Sequence, residues 1–191
     1  MPLPFMDAPL PGCVSIDATI PDGYLDNARC GTPSAPHSSV EMAIANLVDC
    51  AAAQTSPTTA TLVGHGAPGV IVTGAGQSPG TDQQHIDLGN QAIWGPYVEK
   101  LKGRITDLYL YGSHVGADTL GAQLLYALAR VANANVYGPT GLLYCNSQGN
   151  FYLEEGSQWQ VATPTAQPNP IPPPAPGQWQ PLKPIPGSGV P

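Results

Sequence analysis

Two short motifs carry residue types that could act together in nucleophilic catalysis. TLVGHG at 61–66 ends an apolar run with His65, and LYLYGS at 108–113 ends another with Ser113. A histidine beside a hydroxyl can act as its general base, because the imidazole accepts the proton as the oxygen attacks a carbonyl. The backbone N–H groups of Gly66 and Ser113 could stabilise the oxyanion that forms. We therefore predict His65 and Ser113 as catalytic residues, and Gly66 with Ser113 as the oxyanion hole.

These motifs need neighbouring parallel strands to bring them together. The hydrophobic pattern predicts strands at 58–63, 70–72, 105–111 and 134–137, and helices at 38–53, 91–102 and 118–131. Alternating strands and helices imply right-handed βαβ crossovers and a parallel sheet, whose carboxyl ends share one edge. His65 and Ser113 each follow such a strand and are predicted at that edge. The segment 142–153, with a polar turn at 146–150, predicts a C-terminal hairpin.

Other residues near the two motifs are predicted to contact a substrate. They are Gly64, Asp82, Gly112 and His114. The polar loop 74–88 is predicted to face the substrate, because long polar loops in compact domains tend to be functional. Its His85 is expected to be solvated, and His37 is expected at the surface. The scarcity of basic residues favours a substrate with a basic or small neutral residue before the scissile bond.

The composition argues against several classes of protein. Charged residues make up only 10% of the 191 residues, and the net charge is −7, so no basic surface for nucleic acid or an anionic membrane is expected. No apolar run approaches the roughly 18 residues of a membrane-spanning helix. The N-terminus lacks the pattern of a conventional signal peptide, which predicts a cytoplasmic protein or export by another route. No residues have metal-ligand spacing, so neither a metal nor another cofactor is predicted.

The two ends of the chain differ in composition from its middle. Residues 1–37 are rich in Pro, Gly and Asp and are predicted as an irregular arm, with one short strand near 13–16, before a folded domain at 38–163. Residues 164–191 hold 11 prolines and are predicted to be extended or disordered. This tail could be a linker, a ligand for an SH3-type partner or a strap on its own domain. We favour the linker, although Trp179 within the tail argues for a tail that docks on a protein surface.

The cysteines form no recognisable framework. Cys13, Cys30, Cys50 and Cys145 contain no C-x-x-C pair, which argues against zinc-ribbon and thioredoxin-like proteins. Four scattered thiols fit a protein of a reducing cytosol, and a disulfide between Cys13 and Cys30 stays open. Cys145 is the nearest alternative nucleophile, but it lacks a glycine-flanked strand end and is expected to be a core thiol.

The two motifs resemble those of the caspase–gingipain–legumain group of cysteine peptidases (clan CD). The resemblance is closest to bacterial caspase-like domains with Ser-His-Gly and Tyr-Gly-Cys-x-x-Gly motifs, here GHG at 64–66 and YGSHVG at 111–116. It covers about 58–145 and implies an α/β, three-layer fold with a mostly parallel central sheet and a short C-terminal hairpin. It also implies that His65 is the catalytic histidine, that Gly66 faces the oxyanion and that position 113 is the nucleophile.

Ser113 departs from this family, in which a cysteine stands at that position. A thiolate is more nucleophilic than an unassisted serine, and the sequence shows no acid to orient His65. An engineered substitution, a natural pseudo-enzyme and a working serine variant remain open; we favour the first because the rest of the motif is intact. The resemblance thus implies a cysteine endopeptidase that forms an acyl-enzyme with a peptide or protein, here in an inactive form. The alternative is a non-catalytic module that binds peptides or proteins, and an effector role fits either.

Overall fold

A computed structural model describes residues 10, 12–75 and 83–175 of the chain, and the backbone of 5–6. The strands are β1 (Phe5–Met6), β2 (Cys13–Asp17), β3 (Ala35–His37), β4 (Thr58–Val63), β5 (Gly66–Ala67), β6 (Val70–Val72), β7 (His85–Asp87), β8 (Ile105–Tyr111), β9 (Asn135–Pro139), β10 (Leu143–Cys145), β11 (Phe151–Leu153) and β12 (Trp159–Ala162). The helices are α1 (Gly23–Gly31), α2 (Val40–Ala52), α3 (Gln91–Val98) and α4 (Asp118–Ala132), with 3-10 turns at Leu88–Asn90 and Glu99–Leu101.

A six-stranded central sheet organises the fold. Its strand order is β12-β9-β8-β4-β2-β3, and every pair is parallel except β12 with β9. The smaller β5-β6-β7 sheet is antiparallel, and so is β1-β11-β10, which contains the predicted hairpin. The prediction of an α/β fold with a mostly parallel sheet and a short C-terminal hairpin is confirmed.

Alternation along the strands builds a layer on each face of the sheet. Ala60, Leu62 and Leu108 are buried in a core shared with α2, α3 and α4. Val63 and Tyr111 point to the opposite face and are buried with residues of α1 and of the β1-β11-β10 sheet. The molecule therefore has three layers, as the resemblance implies. Among the described residues, no helix is long and apolar enough to cross a membrane.

The prediction of an irregular arm over residues 1–37 is wrong for its described part. β2 lies inside the central sheet between β3 and β4, and α1 covers one face. The predicted short strand corresponds to β2. Its residues are all buried, and parallel partners that lie distant in the sequence supply its hydrogen bonds. The proline and glycine content therefore predicted the structure of this segment poorly, because pairing with strands distant in the sequence determines it.

The two longest helices begin differently. Ser39 caps α2 by accepting the Met42 N–H at 3.2 Å. Asp118 is the first residue of α4, which has no side-chain cap, and its φ is 58°. Its backbone N–H donates to the carbonyl of Ile171 at 2.8 Å. A residue of the proline-rich tail therefore satisfies a helix terminus that has no side-chain cap.

Two histidines that were expected at the surface or in solvent are buried. His85 lies in β7, and His37 ends β3 with 1% of its surface exposed. The Nδ1 atom of His37 is 2.8 Å from the Ser15 hydroxyl oxygen, which also accepts a hydrogen bond from the Asn46 amide at 3.1 Å. Burial lowers the pKa of His37 to about 4, although the Asp17 carboxylate acts in the opposite direction. His37 is thus held neutral inside the fold.

One disulfide joins the central sheet to its covering helix. Cys13 of β2 is bonded to Cys50 of α2, with their Cα atoms 5.7 Å apart. The expectation of four reduced thiols is wrong for these two cysteines, and Cys13 pairs with Cys50 rather than with Cys30. Cys30 is free and exposed, and Cys145 is free and half-buried. The partner of Cys13 became evident only once α2 was placed against β2.

We expect Cys13→Ala/Cys50→Ala to lower the free energy of unfolding by about 3–4 kcal/mol, because the bond closes a long loop in the unfolded chain. The separation of the two cysteines is 37 residues. Urea denaturation measures the change, and Cys30→Ala, which removes an exposed free thiol, is the matched control. Equal stability of the double variant and the control would contradict a native disulfide.

We expect His37 to make the fold acid-sensitive. Its pKa is about 4 when folded against 6.5 ordinarily, so the unfolded chain binds more protons and stability falls as the pH drops through that window. The loss should approach about 3 kcal/mol. His37→Gln, which retains a polar group for Ser15, should flatten the curve of unfolding free energy against pH. Parallel curves for the two proteins would show that His37 is not the cause.

Candidate functional site

Neighbouring strands place His65 and Ser113 on adjacent loops. Val63 of β4 pairs with Tyr111 of β8, and each loop residue lies two positions beyond its strand end. The loops touch through their backbones, since a Cβ on Gly66 would lie 2.7 Å from the Ser113 carbonyl oxygen. Glycine at position 66 is therefore required for this approach. The two predicted catalytic residues lie on loops in direct contact, while their roles remain predictions.

An acid that the sequence reading missed holds His65. The Nε2 atom of His65 is hydrogen-bonded to Oδ2 of Asp22, and both side chains are partly exposed, at 43% and 31%. Oδ1 of Asp22 accepts the Leu25 N–H at 2.9 Å and caps α1. One carboxylate therefore fixes both a helix start and the histidine ring. With Nε2 engaged, Nδ1 is the ring nitrogen left to accept a proton from a reacting group.

The charge of Asp22 is stabilised in the folded protein. Burial acts to raise the pKa of its carboxyl group, but the Leu25 N–H and the His65 ring outweigh it, so that the pKa lies below the ordinary 3.8. Asp22 is consequently ionised at neutral pH. An ionised carboxylate on the far ring nitrogen orients an imidazole and stabilises its protonated form, which is the part that an aspartate plays in a Ser-His-Asp triad.

Tyr24 forms a wall of the site next to His65. Its ring centroid is 5.7 Å from that of His65, and its hydroxyl donates to the carbonyl of Tyr111 at 2.8 Å. Burial raises the pKa of Tyr24 well above its ordinary value, so the hydroxyl keeps its proton and remains a donor. The bond ties α1 to the end of β8, and it thereby holds Asp22 near the two loops.

The Ser113 hydroxyl is hydrogen-bonded to the first residue of β10. Its Oγ accepts the Leu143 backbone N–H at 3.0 Å. Within the part of the chain that the structure describes, no hydrogen bond joins Ser113 to His65, and the Ser113 N–H has no backbone acceptor. The hydroxyl proton is thus available to a base, and the N–H is available to an oxyanion, once a substrate is bound.

The residues predicted to contact a substrate have different surroundings. Gly64 is buried, and a Cβ there would lie 2.1 Å from the Val72 carbonyl oxygen, while a Cβ on Gly112 would meet the backbone of Gly66 at 3.2 Å. These two glycines serve close packing beneath the loops rather than an open surface. His114 is half-buried beside Ser113, with a φ of 63°. Asp82 lies outside the described residues.

Cys145 is a poor alternative nucleophile. Burial, with a smaller contribution from Cys30, raises the pKa of its thiol to about 12, so almost none is thiolate at neutral pH. Among the described residues, no group of three or more His, Cys, Asp or Glu side chains could hold a metal ion. The described site is therefore built from Asp22, His65 and Ser113 with their supporting backbone.

Asp22 thus holds His65 beside the Ser113 loop, at the carboxyl edge of the parallel sheet of an α/β domain. The chain belongs to the DUF4347 family, described as a domain of unknown function, whose model matches residues 14–169.

Two further comparisons add little. No curated protein matches the chain. Among solved structures, an aromatic-amino-acid aminotransferase from Burkholderia pseudomallei, covalently bound to pyridoxal phosphate, is 17% identical over 68% of this chain, with a TM-score of 0.34. The chain spans only 31% of that structure. A likeness at that level supports no conclusion about the site.

Asp22 both caps α1 and places a negative charge beside His65, and we expect two variants to distinguish these contributions to stability. Asp22→Asn keeps a capping side chain but removes the charge, whereas Asp22→Ala also loses the cap and should cost about 1 kcal/mol more. Because the pKa of Asp22 is lowered in the folded state, its charge stabilises the protein above pH 3.8 and ceases to do so as the pH falls through the lowered pKa. Urea denaturation should therefore show the gap between wild type and Asp22→Asn narrowing below pH 3.8. A gap independent of pH would contradict the charge interaction.

Proposed function

We propose that this chain is a caspase-like peptidase domain whose reaction centre consists of His65, Asp22 and the nucleophile position 113. The observation that carries the proposal is the joining of His65 to Asp22 on one side and its placement beside the Ser113 loop on the other. The three layers and the mostly parallel sheet support the same class. The reaction is the hydrolysis of a peptide bond in a peptide or protein.

The residues of the site would act in sequence. The oxygen of Ser113, or a sulfur in its place, attacks the carbonyl carbon while its proton passes to Nδ1 of His65. The Ser113 N–H and the glycine-rich turn at Gly66 face the oxyanion. As the C–N bond breaks, His65 returns the proton to the leaving amine, and a water molecule, deprotonated by His65, then releases the acyl group. Asp22 holds the ring and balances its positive charge through both steps.

The presence of Asp22 favours one of the three explanations for a serine at position 113. A serine needs an oriented base more than a cysteine does, because its hydroxyl is far less acidic than a thiol. The sequence shows no such acid, and its absence counts against a working serine variant. An aspartate on His65 supplies the missing group and supports a working serine variant.

A non-catalytic binding module is the second candidate. The observation in its favour is that the Ser113 hydroxyl accepts a hydrogen bond from Leu143 and makes none with His65 in the described structure. A serine held in this way could present a groove for peptides without cleaving them. The two candidates differ in whether position 113 can form an acyl-enzyme, which substitution tests directly.

We expect Ser113→Cys to cleave peptides faster than wild type, and Ser113→Ala to be inactive. His65→Gln in the Ser113→Cys background should lower the rate by about 10²–10⁴-fold, because it removes the general base. Cleavage of a mixed peptide library under reducing conditions, analysed by mass spectrometry, gives the rates and the preferred residue before the cut. The thermal unfolding of each variant is the control for folding.

A folded Ser113→Cys protein that cleaves no peptide would exclude the peptidase. The same library is then tested for retention on immobilised wild-type protein. Retention that His65→Gln and Tyr24→Ala weaken would identify a peptide-binding module. In contrast, cleavage by Ser113→Cys that persists in His65→Gln would locate the reaction elsewhere.

For the location of the protein, we infer export to an oxidising compartment rather than the cytoplasm. The disulfide between Cys13 and Cys50 supports this choice, since such bonds are rare where thioredoxin and glutathione keep thiols reduced. Alkylation of the protein in intact cells, followed by mass analysis, tests it. Labelling of Cys13 and Cys50 to the same extent as exposed Cys30 would indicate the cytoplasm instead.

A further inference from the structure

Two free thiols lie at the contact between α1 and the hairpin of β10 and β11. Cys30 is the exposed, next-to-last residue of α1, and Cys145 is the half-buried last residue of β10. Asn27, one turn before Cys30, donates its side-chain amide to the Cys145 carbonyl at 2.9 Å. Residues three apart on a helix are neighbours on its surface, so Cys30 lies on the side of α1 that contacts Cys145. We call Cys30 and Cys145 the thiol pair.

A backbone contact holds the same two segments together on the other side of Cys30. A Cβ on Gly31 would lie 2.4 Å from the Cα atom of Gly149, so the two backbones touch and leave no room for a side chain. The Gly149 N–H donates to the Asn146 carbonyl at 2.8 Å, which folds this turn back onto the residue after Cys145. Contacts before and after Cys30 therefore fix α1 against the segment that carries Cys145. Disulfides join Cα atoms about 4.4–6.8 Å apart, and segments whose backbones touch can meet that requirement.

The two thiols interact, and they differ in reactivity. Burial raises the pKa of Cys145 to about 12, and a smaller contribution from Cys30 places each sulfur within range of the other's charge. The Cys145 thiol therefore keeps its proton at neutral pH, and it donates only a weak hydrogen bond, to the Asn146 carbonyl at 3.8 Å. Cys30 is exposed, so a dissolved oxidant reaches it first. The exposure and the burial of the two thiols thus set the order in which they react.

We propose that the thiol pair is a redox site, at which Cys30 and Cys145 form a reversible disulfide by exchange with a small-molecule disulfide such as oxidised glutathione. The Cys30 thiolate attacks one sulfur of that disulfide, whose S–S bond breaks and releases one small thiol. Cys145 then loses its proton and attacks the sulfur of Cys30, which releases the second small thiol. Each leaving thiolate takes up the proton that the attacking thiol gave up. Two protein thiols and one small disulfide thus become one protein disulfide and two small thiols.

The new bond joins the two elements that border the candidate site. α1 starts at its cap Asp22, which holds His65. β10 starts at Leu143, whose N–H donates to the Ser113 hydroxyl. Oxidation therefore fixes the element that carries the acid against the element that contacts the serine. The inference rests on the thiol pair alone, so it stands whether the site cleaves peptides or binds them.

Equilibration of the full-length protein in graded mixtures of reduced and oxidised glutathione tests the redox site. After an acid quench and alkylation, mass spectrometry of the intact protein and of its peptides counts the free thiols. We expect the wild type to lose both free thiols, with a mass lower by two hydrogens and a peptide cross-linked between Cys30 and Cys145. Because Cys30 is exposed and Cys13 is buried, dithiothreitol should reduce the new bond before the Cys13–Cys50 bond.

Oxidation should also stabilise the protein. The new bond closes a loop of about 115 residues, which restricts the unfolded chain strongly. We therefore expect the midpoint of thermal unfolding to rise by about 10 °C on oxidation. Cys30→Ser changes an exposed side chain, so it keeps the fold and should show no such rise.

Two single variants separate the steps of the exchange. Cys145→Ala should stop at a mixed disulfide between Cys30 and glutathione, and Cys30→Ser should leave Cys145 unmodified. A wild type that keeps glutathione on Cys30 while Cys145 remains a free thiol would overturn the proposal. A dimer linked through Cys30, with Cys145 still free, would overturn it as well, since the exposed thiol would then pair with a second copy.

Discussion

The close approach of two backbone loops is the constraint on which the rest of the structure depends. Gly66 and Gly112 come together where β4 and β8 end. A Cβ on Gly66 would overlap the Ser113 carbonyl oxygen at 2.7 Å, and one on Gly112 would lie tightly against the Gly66 backbone at 3.2 Å. Val63 and Tyr111 are partners in the parallel register, so β4 and β8 end at the same level and the two loops begin side by side. His65 and Ser113 follow at equal offsets, so their proximity is a property of the sheet and does not rely on a contact between their side chains.

The reversal of strand order next to β4 explains where the third member of the site comes from. β2 is followed in the sequence by β3 at one edge, whereas β4 lies on the other side of β2. Ligands of open α/β sheets bind beyond the carboxyl ends of the strands at such a reversal. Asp22 lies in the connection after β2, and His65 lies after β4. The crossover through α1 therefore delivers the acid, and Tyr24 anchors that helix to the end of β8.

Local pattern predicted the elements with strong periodicity and failed where distant partners decide. β4, β8, α2 and α4 follow apolar repeats that the sequence displays, so their bounds were recovered closely. In contrast, α1 was not predicted, and β2 was predicted only as a short strand in an irregular arm, because their segment is rich in Pro and Gly and their burial depends on β4 and β11. Asp22 could have been read as a helix cap, but its bond to His65 requires the register of the sheet. The Cys13–Cys50 pair was hidden for the same reason.

The proline-rich tail shows that composition predicts conformation better than it predicts attachment. Residues 164–175 have no regular helix or strand, as a proline-rich sequence requires, yet they make specific contacts with the domain. Proline has no N–H, so such a segment binds mainly through its carbonyls and rings. The Ile171 carbonyl meets the N–H of Asp118 at a helix start that lacks a side-chain cap. The α4 terminus and the loop that carries Ser113 are adjacent in the chain, so the tail contacts the domain close to the candidate site.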